Sequence, residues 1–194
     1  MLTLNYYNTN ARSFVSDTLS VDFKQTQDKF LSLLPSTASI LDFGCGSGRD
    51  TKYFLDAGMR VDATDGSETL CRLASEYTGI VVRQMLFEEL DAKEQYDGIW
   101  ACSSILHLPK DSLKVVLKKM IVALKAHGII YTSFKYGTFE GERNGRFFTD
   151  FTEEMFQEFV KDVDGIRIKE IWITGDVRPG RESEQWLNLI LRKE

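Results

Sequence analysis

The chain has 194 residues, of which 43% are hydrophobic, which is enough for one globular domain with a full core. Its formal charge of −5 and its pI of about 5.2 argue against a general binder of nucleic acids or anionic membranes, since both partners need a basic surface. The N-terminus lacks a positive region followed by an apolar stretch, and no run approaches the ~20 apolar residues of a membrane span, so we expect a soluble cytoplasmic protein.

The first 35 residues are predicted to form helices that pack on the domain as a lid. Residues 5–19 mix aromatic and polar side chains. Ser20 is a candidate cap for a helix in which Phe23, Phe30 and Leu34 recur at roughly helical spacing. Pro35 is expected to end this helix.

The stretch from residue 39 to residue 55 has the most informative pattern in the chain. A short apolar run ends in Asp42, glycines follow at positions 44, 46 and 48, and residues 51–55 have a helical pattern. This order predicts a strand, a tight loop and a helix. Glycine permits backbone angles that other residues avoid, and it lets a ligand lie against the main chain and the helix N-terminus. A nucleotide-like cofactor is therefore expected.

The spacing of these glycines distinguishes between two kinds of cofactor. The dinucleotide fingerprint is G-x-G-x-x-G, and Arg49 occupies the position of its third glycine. The sequence is instead D-x-G-x-G-x-G, which resembles the first motif of the class I S-adenosylmethionine-dependent methyltransferases. The resemblance implies that Gly44 and Gly46 approach the methionine moiety of the cofactor. It further implies that Asp42 orients the loop or the cofactor ammonium group, and that Arg49 binds the cofactor carboxylate.

A second strand ends in an acidic residue at Asp65. Ser67 is placed to cap the helix that follows. Asp65 stands immediately before the turn, where nucleoside-binding folds of this kind hold the ribose hydroxyls, and a carboxylate can accept both hydrogen bonds of a vicinal diol. Asp62 is the competing candidate, although it would lie inside the strand. Helix capping alone is the alternative role for Asp65.

Two positions near the third predicted strand depart from the resembling family. In that family an Asp commonly stands near position 86 and binds the adenine amino group, and a residue bulkier than Gly66 follows the ribose acid. This chain has Leu86 and Phe87 at the first place. We therefore expect adenine to rely on apolar contacts with Met85, Leu86 or Phe87, on a backbone group or on Glu88.

The fourth predicted strand, Tyr96–Cys102, leads to the ligand side of the sheet, because open parallel sheets bind ligands beyond the carboxyl ends of their strands. The resemblance implies that the backbone of Ala101 faces the cofactor amino group, and that a loop containing Leu106 and His107 borders the methyl group. His107 is a candidate general base, since its reference pKa is near neutrality. A structural role in a helical turn is the alternative.

The three cysteines predict neither a disulfide framework nor a metal site. Cys45, Cys71 and Cys102 are far apart in sequence and odd in number. The chain also lacks the Pro-Cys dipeptide typical of cytosine C5 methyltransferases. Cys102 is therefore expected to be a small buried residue.

Two segments near the end of the chain carry five cations. One follows the fifth predicted strand, and the other joins the last two strands around residues 174–182. If the last strand is antiparallel, both segments overhang the ligand side. The cations are Lys135, Arg143, Arg146, Arg178 and Arg181. Their convergence suggests an anionic substrate, and pairing with carboxylates such as Asp150, Asp176 and Glu182 is the alternative.

The predicted strands and helices alternate, which implies a doubly wound α/β domain. To this the resemblance adds a Rossmann-like seven-stranded sheet of order 3-2-1-4-5-7-6 with strand 7 antiparallel. We expect a single domain over residues 1–194, with a helical lid over 1–35 and the core over 36–194. The cofactor-binding residues that we predict are Tyr7, Asp42, Gly44, Cys45, Gly46, Arg49, Asp65, Gly66, Leu86, Phe87, Ala101 and Leu106.

The function that the resemblance implies is methyl transfer from S-adenosylmethionine to a small anionic acceptor. Such a reaction needs little beyond alignment and the removal of water. Small methyltransferases that handle tellurite also resemble this chain, so metabolites, thiols and oxyanions all stay open as acceptors. One alternative is a nucleotide-dependent oxidoreductase, which Arg49 disfavours, and another is a non-catalytic cofactor-binding regulator. The sequence leaves the oligomeric state open.

Overall fold

The computed structural model describes residues 2–178, 180–181 and 183–194. Its strands are β1 Ser39–Phe43, β2 Arg60–Asp65, β3 Val82–Gln84, β4 Tyr96–Ala101, β5 Leu124–Lys135, β6 Glu140–Arg143, β7 Arg146–Thr149, β8 Ile166–Gly175 and β9 Gln185–Lys193. Its helices are α1 Leu2–Thr18, α2 Lys24–Leu31, α3 Arg49–Asp56, α4 Glu68–Thr78, α5 Lys110–Ala123 and α6 Glu153–Val160, and short 3-10 turns cover Phe87–Glu89 and Ile105–His107.

Seven of the strands form one sheet in the order β3-β2-β1-β4-β5-β9-β8. The pairs from β3 to β5 are parallel, and β9 runs antiparallel to both of its neighbours. If the separate hairpin of β6 and β7 is set aside, this is the predicted order with the last strand reversed. The predicted fold class is confirmed.

The sheet is covered on both faces, so the central strands β1 and β4 are buried over nearly their whole length. On one face α5 contributes Leu113, Val116 and Leu117 to the larger core. On the other face Trp100 of β4 packs against Phe30 and Phe54 and stacks on Tyr131, with ring centroids 4.1 Å apart. These packed layers hold the loops at the carboxyl ends of the strands in place.

The N-terminal segment is more helical than the sequence pattern indicated. Helix α1 begins at Leu2, and its stripe of Leu4, Tyr7 and Phe14 faces the domain at helical spacing. Helix α2 begins only at Lys24 and has no side-chain cap, so the prediction of a cap at Ser20 is wrong. The cap predicted at Ser67 is confirmed, because its Oγ accepts a hydrogen bond from the backbone N–H of Leu70 at 3.2 Å.

The polar excursion after β5 is an antiparallel hairpin of β6 and β7. Its turn is Asn144–Gly145, and both residues have positive φ, at 51° and 74°. An Asn-Gly pair is a strong hairpin signal, because both residues tolerate the left-handed conformation that the tight turn requires. The hairpin places β7 against α1 and beside His107.

None of the helices in the described part of the chain is long and apolar enough to cross a membrane.

Candidate active site

A cavity of about 540 Å³ lies at the carboxyl ends of β1, β2 and β4. Helix α1 covers it, and the β6–β7 hairpin and the segment between β8 and β9 border its other side. Ligands of open α/β sheets bind at this end, where the chain leaves the strands for the helices. The cavity is therefore the candidate active site.

The glycine loop forms the floor of this cavity with backbone that only glycine adopts easily. Gly44 has φ of 85° and Gly46 has φ of 56°. A Cβ at Gly46 would stand 2.9 Å from Cε1 of Phe14 on α1, and one at Gly44 would stand 2.5 Å from Cβ of Ser104. The loop thus has no room for side chains, and a ligand in the cavity can lie directly against its main chain.

Asp65 stands at the end of β2 and lines the cavity. Its two carboxylate oxygens accept hydrogen bonds from the backbone N–H groups of Gly46, at 2.9 Å, and Ser67, at 2.8 Å. Burial raises the pKa of this carboxyl, and those N–H bonds oppose the rise. Asp62 does not line the cavity, and its carboxylate instead accepts a hydrogen bond from the Tyr96 hydroxyl at 2.8 Å. The geometry therefore favours Asp65 over Asp62 as the residue that a ligand contacts.

Arg49 lines the cavity but is already paired. Its guanidinium donates to both carboxylate oxygens of Asp50, at 2.7 and 2.9 Å, and lies 4.8 Å from the ring centroid of Phe23. Asp50 also accepts from Gln27 at 2.7 Å and from the indole of Trp100 at 2.8 Å. Arg49 and Asp50 thus form a structural pair, and the role of Arg49 toward a cofactor carboxylate stays a prediction.

Asp42 is a buried carboxyl beside this pair, and no hydrogen bond from a cationic side chain reaches it within the described residues. The Thr51 hydroxyl lies 2.5 Å from its Oδ2. Burial and the charge of Asp50 raise the pKa of Asp42 to about 8. Near neutral pH the group therefore holds a proton in the ligand-free protein, and a cation in the cavity would favour its ionised form.

Apolar side chains line the part of the cavity next to Gly66. Leu4 of α1 has its Cδ2 only 2.7 Å from where a Cβ at Gly66 would stand. Leu86 and Phe87 lie beside it, and the ring of Phe87 packs on Phe43 with centroids 4.9 Å apart. Leu4 thus occupies the space that a larger residue at position 66 would need.

His107 is held by two hydrogen bonds that define its tautomer. Its Nδ1 lies 2.6 Å from the carbonyl oxygen of Phe147, which can only accept, so Nδ1 carries the proton. Its Nε2 lies 2.8 Å from the Tyr7 hydroxyl, which therefore donates. Burial, together with the charges of Arg146 and Arg143, lowers the pKa of His107 to about 4, although the hydrogen bond to the Phe147 carbonyl opposes this shift. The imidazole is neutral at physiological pH.

Four of the five predicted substrate cations have carboxylate partners. Arg143 pairs with Asp150 and does not line the cavity, Arg178 pairs with Asp176, and both Lys135 and Arg181 contact Glu184. The bonds from Arg178 hold the pKa of Asp176 at about 2, although its burial opposes this shift. Pro179 and Glu182, which belong to the same predicted loop, lie outside the described residues.

Arg146 differs from these four cations. It lines the cavity, and the described residues include no carboxylate partner for it. Its guanidinium carbon lies 4.3 Å from the ring centroid of Tyr6, and its Nη1 donates a long hydrogen bond of 3.5 Å to the Tyr7 hydroxyl. Arg146 is thus the cation on this side of the cavity whose charge is left for a ligand.

Residues 40–128 match the model of a protein family described as methyltransferase domain. This match contains the glycine loop, Asp65 and His107. This similarity, which covers a little under half of the chain, supports the predicted resemblance to the class I S-adenosylmethionine-dependent methyltransferases. Among curated proteins, no sequence matches the chain.

Solved structures with this fold include proteins with different activities. A 1,6-didemethyltoxoflavin N1-methyltransferase from Burkholderia thailandensis, with S-adenosylhomocysteine bound, matches with TM-score 0.76 and 22% identity over 97% of this chain and 84% of its own. The magnesium protoporphyrin IX methyltransferase of Synechocystis, with S-adenosylmethionine bound, has TM-score 0.72 and 17% identity over 98% and 94%. The [4+2]-cyclase SpnF has TM-score 0.74 and 13% identity over 97% and 94%. These similarities concern the fold.

Most of the predicted methyltransferase site residues line the cavity. The predicted cofactor residues found there are Tyr7, Asp42, Gly44, Cys45, Gly46, Arg49, Asp65, Gly66, Leu86, Phe87 and Leu106. Ala101 is fully buried in β4 and does not line the cavity, because the chain reaches it only at Cys102 to Ser104. Cys102 is partly buried as a whole residue and packs against the core around Trp100, and burial of its thiol raises its pKa to about 12.

Several residues that line this cavity were not predicted from the sequence. Leu4 and Phe14 line it from α1, Phe23 from the turn before α2, and Ser104 from the loop after β4. The helical spacing of the first two residues was a signal for a lid helix. Ser104 had no such signal, because its Oγ donates to the carbonyl of Phe43, 61 positions away in sequence.

Proposed function

We propose that this methyltransferase transfers a methyl group from S-adenosylmethionine to a small acceptor that carries negative charge near Arg146. The proposal is supported by one observation: two groups of residues with different chemistry line the same covered cavity. The glycine loop, Asp42 and Asp65 lie on one side, and Tyr7, His107 and Arg146 lie on the other. The first group suits a cationic nucleoside cofactor, and the second suits an acceptor.

The residues of the first group fit S-adenosylmethionine. The backbone of Gly44 and Gly46 accommodates the methionine moiety, and Asp65 is the acceptor for the ribose hydroxyls. Buried Asp42, which lacks a cationic hydrogen-bond donor, suits a ligand that bears an ammonium and a sulfonium group. Leu86 and Phe87 provide apolar surface for the adenine. When bound, this cofactor supplies an electrophilic methyl group.

The protein itself contributes orientation and exclusion of water. Helix α1 covers the cavity, with Leu4 against Gly66 and Phe14 against Gly46. A covered, largely apolar site holds two reactants in one geometry and keeps water from the reacting atoms, which lowers the barrier without a strong acid or base. The lid over residues 1–35 is part of this proposal.

Of the five cations predicted to bind an anionic substrate, we propose that only Arg146 does so. Arg178, Lys135 and Arg181 have carboxylate partners, so their charges are largely balanced. Arg146 is without one among the described residues, and the rings of Tyr6 and Phe148 lie within 5.0 Å of its guanidinium carbon. A cation in such surroundings favours one carboxylate, phosphate or enolate group next to an apolar body.

Calorimetric titration with S-adenosylmethionine and S-adenosylhomocysteine tests the cofactor assignment. We expect micromolar binding to the wild type and a loss of about 10- to 100-fold in Asp65→Asn, since a hydrogen bond to a charged group is removed. Asp62→Asn is the matched control on the same strand, and it should bind like the wild type. A folded protein that binds neither ligand would contradict the proposal.

Other expectations from the sequence stay predictions. The match to a methyltransferase family does not support the oxidoreductase alternative. A non-catalytic regulator would share the same cofactor residues, and transfer of labelled methyl to an acceptor separates it from an enzyme. A cytoplasmic location, a lack of nucleic-acid partners and the single-domain organisation are likewise proposals.

A further inference from the structure

Tyr7 and His107 form a pair whose hydrogen-bond direction can be assigned. The carbonyl of Phe147 accepts from Nδ1 of His107, so Nε2 has a lone pair and the Tyr7 hydroxyl must donate to it. The hydroxyl has a single hydrogen, and this bond uses it. Toward the cavity that it lines, Tyr7 Oη therefore presents lone pairs only.

We propose that Tyr7 is a catalytic residue that accepts the hydrogen of the attacking group, and that the acceptor is therefore methylated on a protic N–H or O–H group. This assignment rests on the proposed function and names its substrate class. A group without hydrogen, such as a thioether, a tertiary amine or a fully ionised oxyanion, has nothing to donate to Tyr7 Oη. Such acceptors are disfavoured.

The arrangement around Tyr7 leaves room for this bond. Arg146 donates to the same oxygen only at 3.5 Å, which is beyond the usual length of an N–H···O hydrogen bond. The rings of Phe14 and His107 flank the Tyr7 ring with centroids 5.2 and 5.5 Å away, so the phenol has a fixed orientation. His107 is thus a positioning residue that sets the direction of the Tyr7 hydroxyl.

The proton balance of the reaction follows from the same pair. The attacking atom forms a bond to the methyl carbon as the methyl–sulfur bond breaks and leaves its electron pair on sulfur. The attacking atom also loses its N–H or O–H bond, so the acceptor gains a methyl cation equivalent and releases one proton. That proton passes to Tyr7 Oη while the phenol proton passes to Nε2 of His107. The phenol is restored, and the imidazolium, which Arg146 and Arg143 disfavour, gives its proton to water when the site opens.

A pair of probe ligands tests Tyr7 without knowledge of the natural acceptor. Phenol and anisole have the same ring, but only phenol can donate a hydrogen bond. Binding of both ligands is followed by NMR chemical shifts. We expect phenol to bind the wild type about fivefold more tightly than anisole, because one ordinary hydrogen bond provides an affinity ratio of this size. In Tyr7→Phe the ratio should fall to about one. Tyr53→Phe, which removes a surface hydroxyl bonded to Asp28, should keep the wild-type ratio.

A second measurement tests the role of His107. Nitrogen-15 NMR of histidine-labelled protein at pH 7 should show a neutral ring protonated on Nδ1, and Tyr7→Phe should shift the Nε2 signal. His107→Phe frees the Tyr7 hydroxyl to donate, so the preference for phenol should fall while S-adenosylhomocysteine still binds. An Nε2-protonated ring would overturn the assignment.

The titrations are made on the unloaded protein and on the protein loaded with S-adenosylhomocysteine. Loss of S-adenosylhomocysteine binding would contradict the proposed function, and the phenol comparison in the unloaded protein would still decide the role of Tyr7. Equal affinity for phenol and anisole, binding of neither, or a preference that persists in Tyr7→Phe would overturn it.

Discussion

We expect Asp42, which is proposed to face the cationic cofactor, to link cofactor binding to pH. The raised pKa of about 8 means that the carboxyl is protonated near neutrality, whereas a cationic ligand favours the ionised form. Binding should therefore release a proton, and the affinity for S-adenosylmethionine should rise about tenfold from pH 6 to pH 7. Calorimetry at the two pH values measures this change. In Asp42→Asn the affinity should be weaker and nearly independent of pH, and an equally steep rise in that variant would contradict the linkage.

His107 makes the fold sensitive to acid. Its pKa of about 4 in the folded protein lies below the value near 6.5 expected in the unfolded chain, so the neutral ring contributes stability above pH 6.5. That contribution is lost as the pH falls from 6.5 to 4, by roughly 3 kcal/mol in all. Urea unfolding across this range should show a smaller loss in His107→Gln. His127→Asn, at an exposed position, should behave like the wild type.

The glycine loop and α1 depend on each other through Gly46. Alanine at this position is strained by the φ of 56° and collides with Phe14, so we expect destabilisation by about 1–2 kcal/mol and weaker binding of S-adenosylhomocysteine. Gly58→Ala separates the two effects, since Gly58 has φ of 83° but no neighbouring atom within 4 Å. That variant should lose stability and keep its affinity. Chemical denaturation and calorimetry on both variants give the comparison.

Local patterns predicted the elements whose contacts are close in sequence. The strand, glycine loop and helix from residue 39 to residue 56 lie in one continuous segment, and Ser67 caps the helix that begins next to it. The hairpin at Asn144–Gly145 also had a local signal, although the sequence analysis predicted only a cationic segment on the ligand side there. The bounds of the elements were less predictable. For example, α5 ends at Ala123 and β5 begins at Leu124, so no turn residue separates the helix from the strand.

Contacts between distant segments could not be predicted in this way. The pair of Tyr7 and His107 joins residues 100 positions apart, and neither neighbourhood shows a pattern for the other. The pairing of Arg143 with Asp150 was open in the sequence, since either an internal carboxylate or a ligand can satisfy an arginine. Only the folded arrangement shows that Arg146 is the cation left unbalanced in the described part of the cavity.

Binding of S-adenosylhomocysteine should raise the free energy of unfolding of the whole domain. A ligand present at about 100 times its Kd adds about 2.7 kcal/mol to the free energy of unfolding. For a chain of this size we expect S-adenosylhomocysteine to raise the Tm by about 5–10 °C in a thermal unfolding experiment. Asp65→Asn at the same ligand concentration should show a clearly smaller rise, and equal rises would place the ligand elsewhere.

The β6–β7 hairpin is structurally separate from the sheet that supports the proposed cofactor site. Its strands pair with each other and lie outside the seven-stranded sheet, yet they carry Arg146 and the carbonyl that orients His107. The residues proposed for the cofactor lie instead at the carboxyl ends of β1 and β2 and in the loops after β1 and β3. With the acceptor site proposed at Arg146, we expect that exchange of this short hairpin alters acceptor choice while the cofactor half keeps its geometry, which would let new substrates be acquired by replacement of one module.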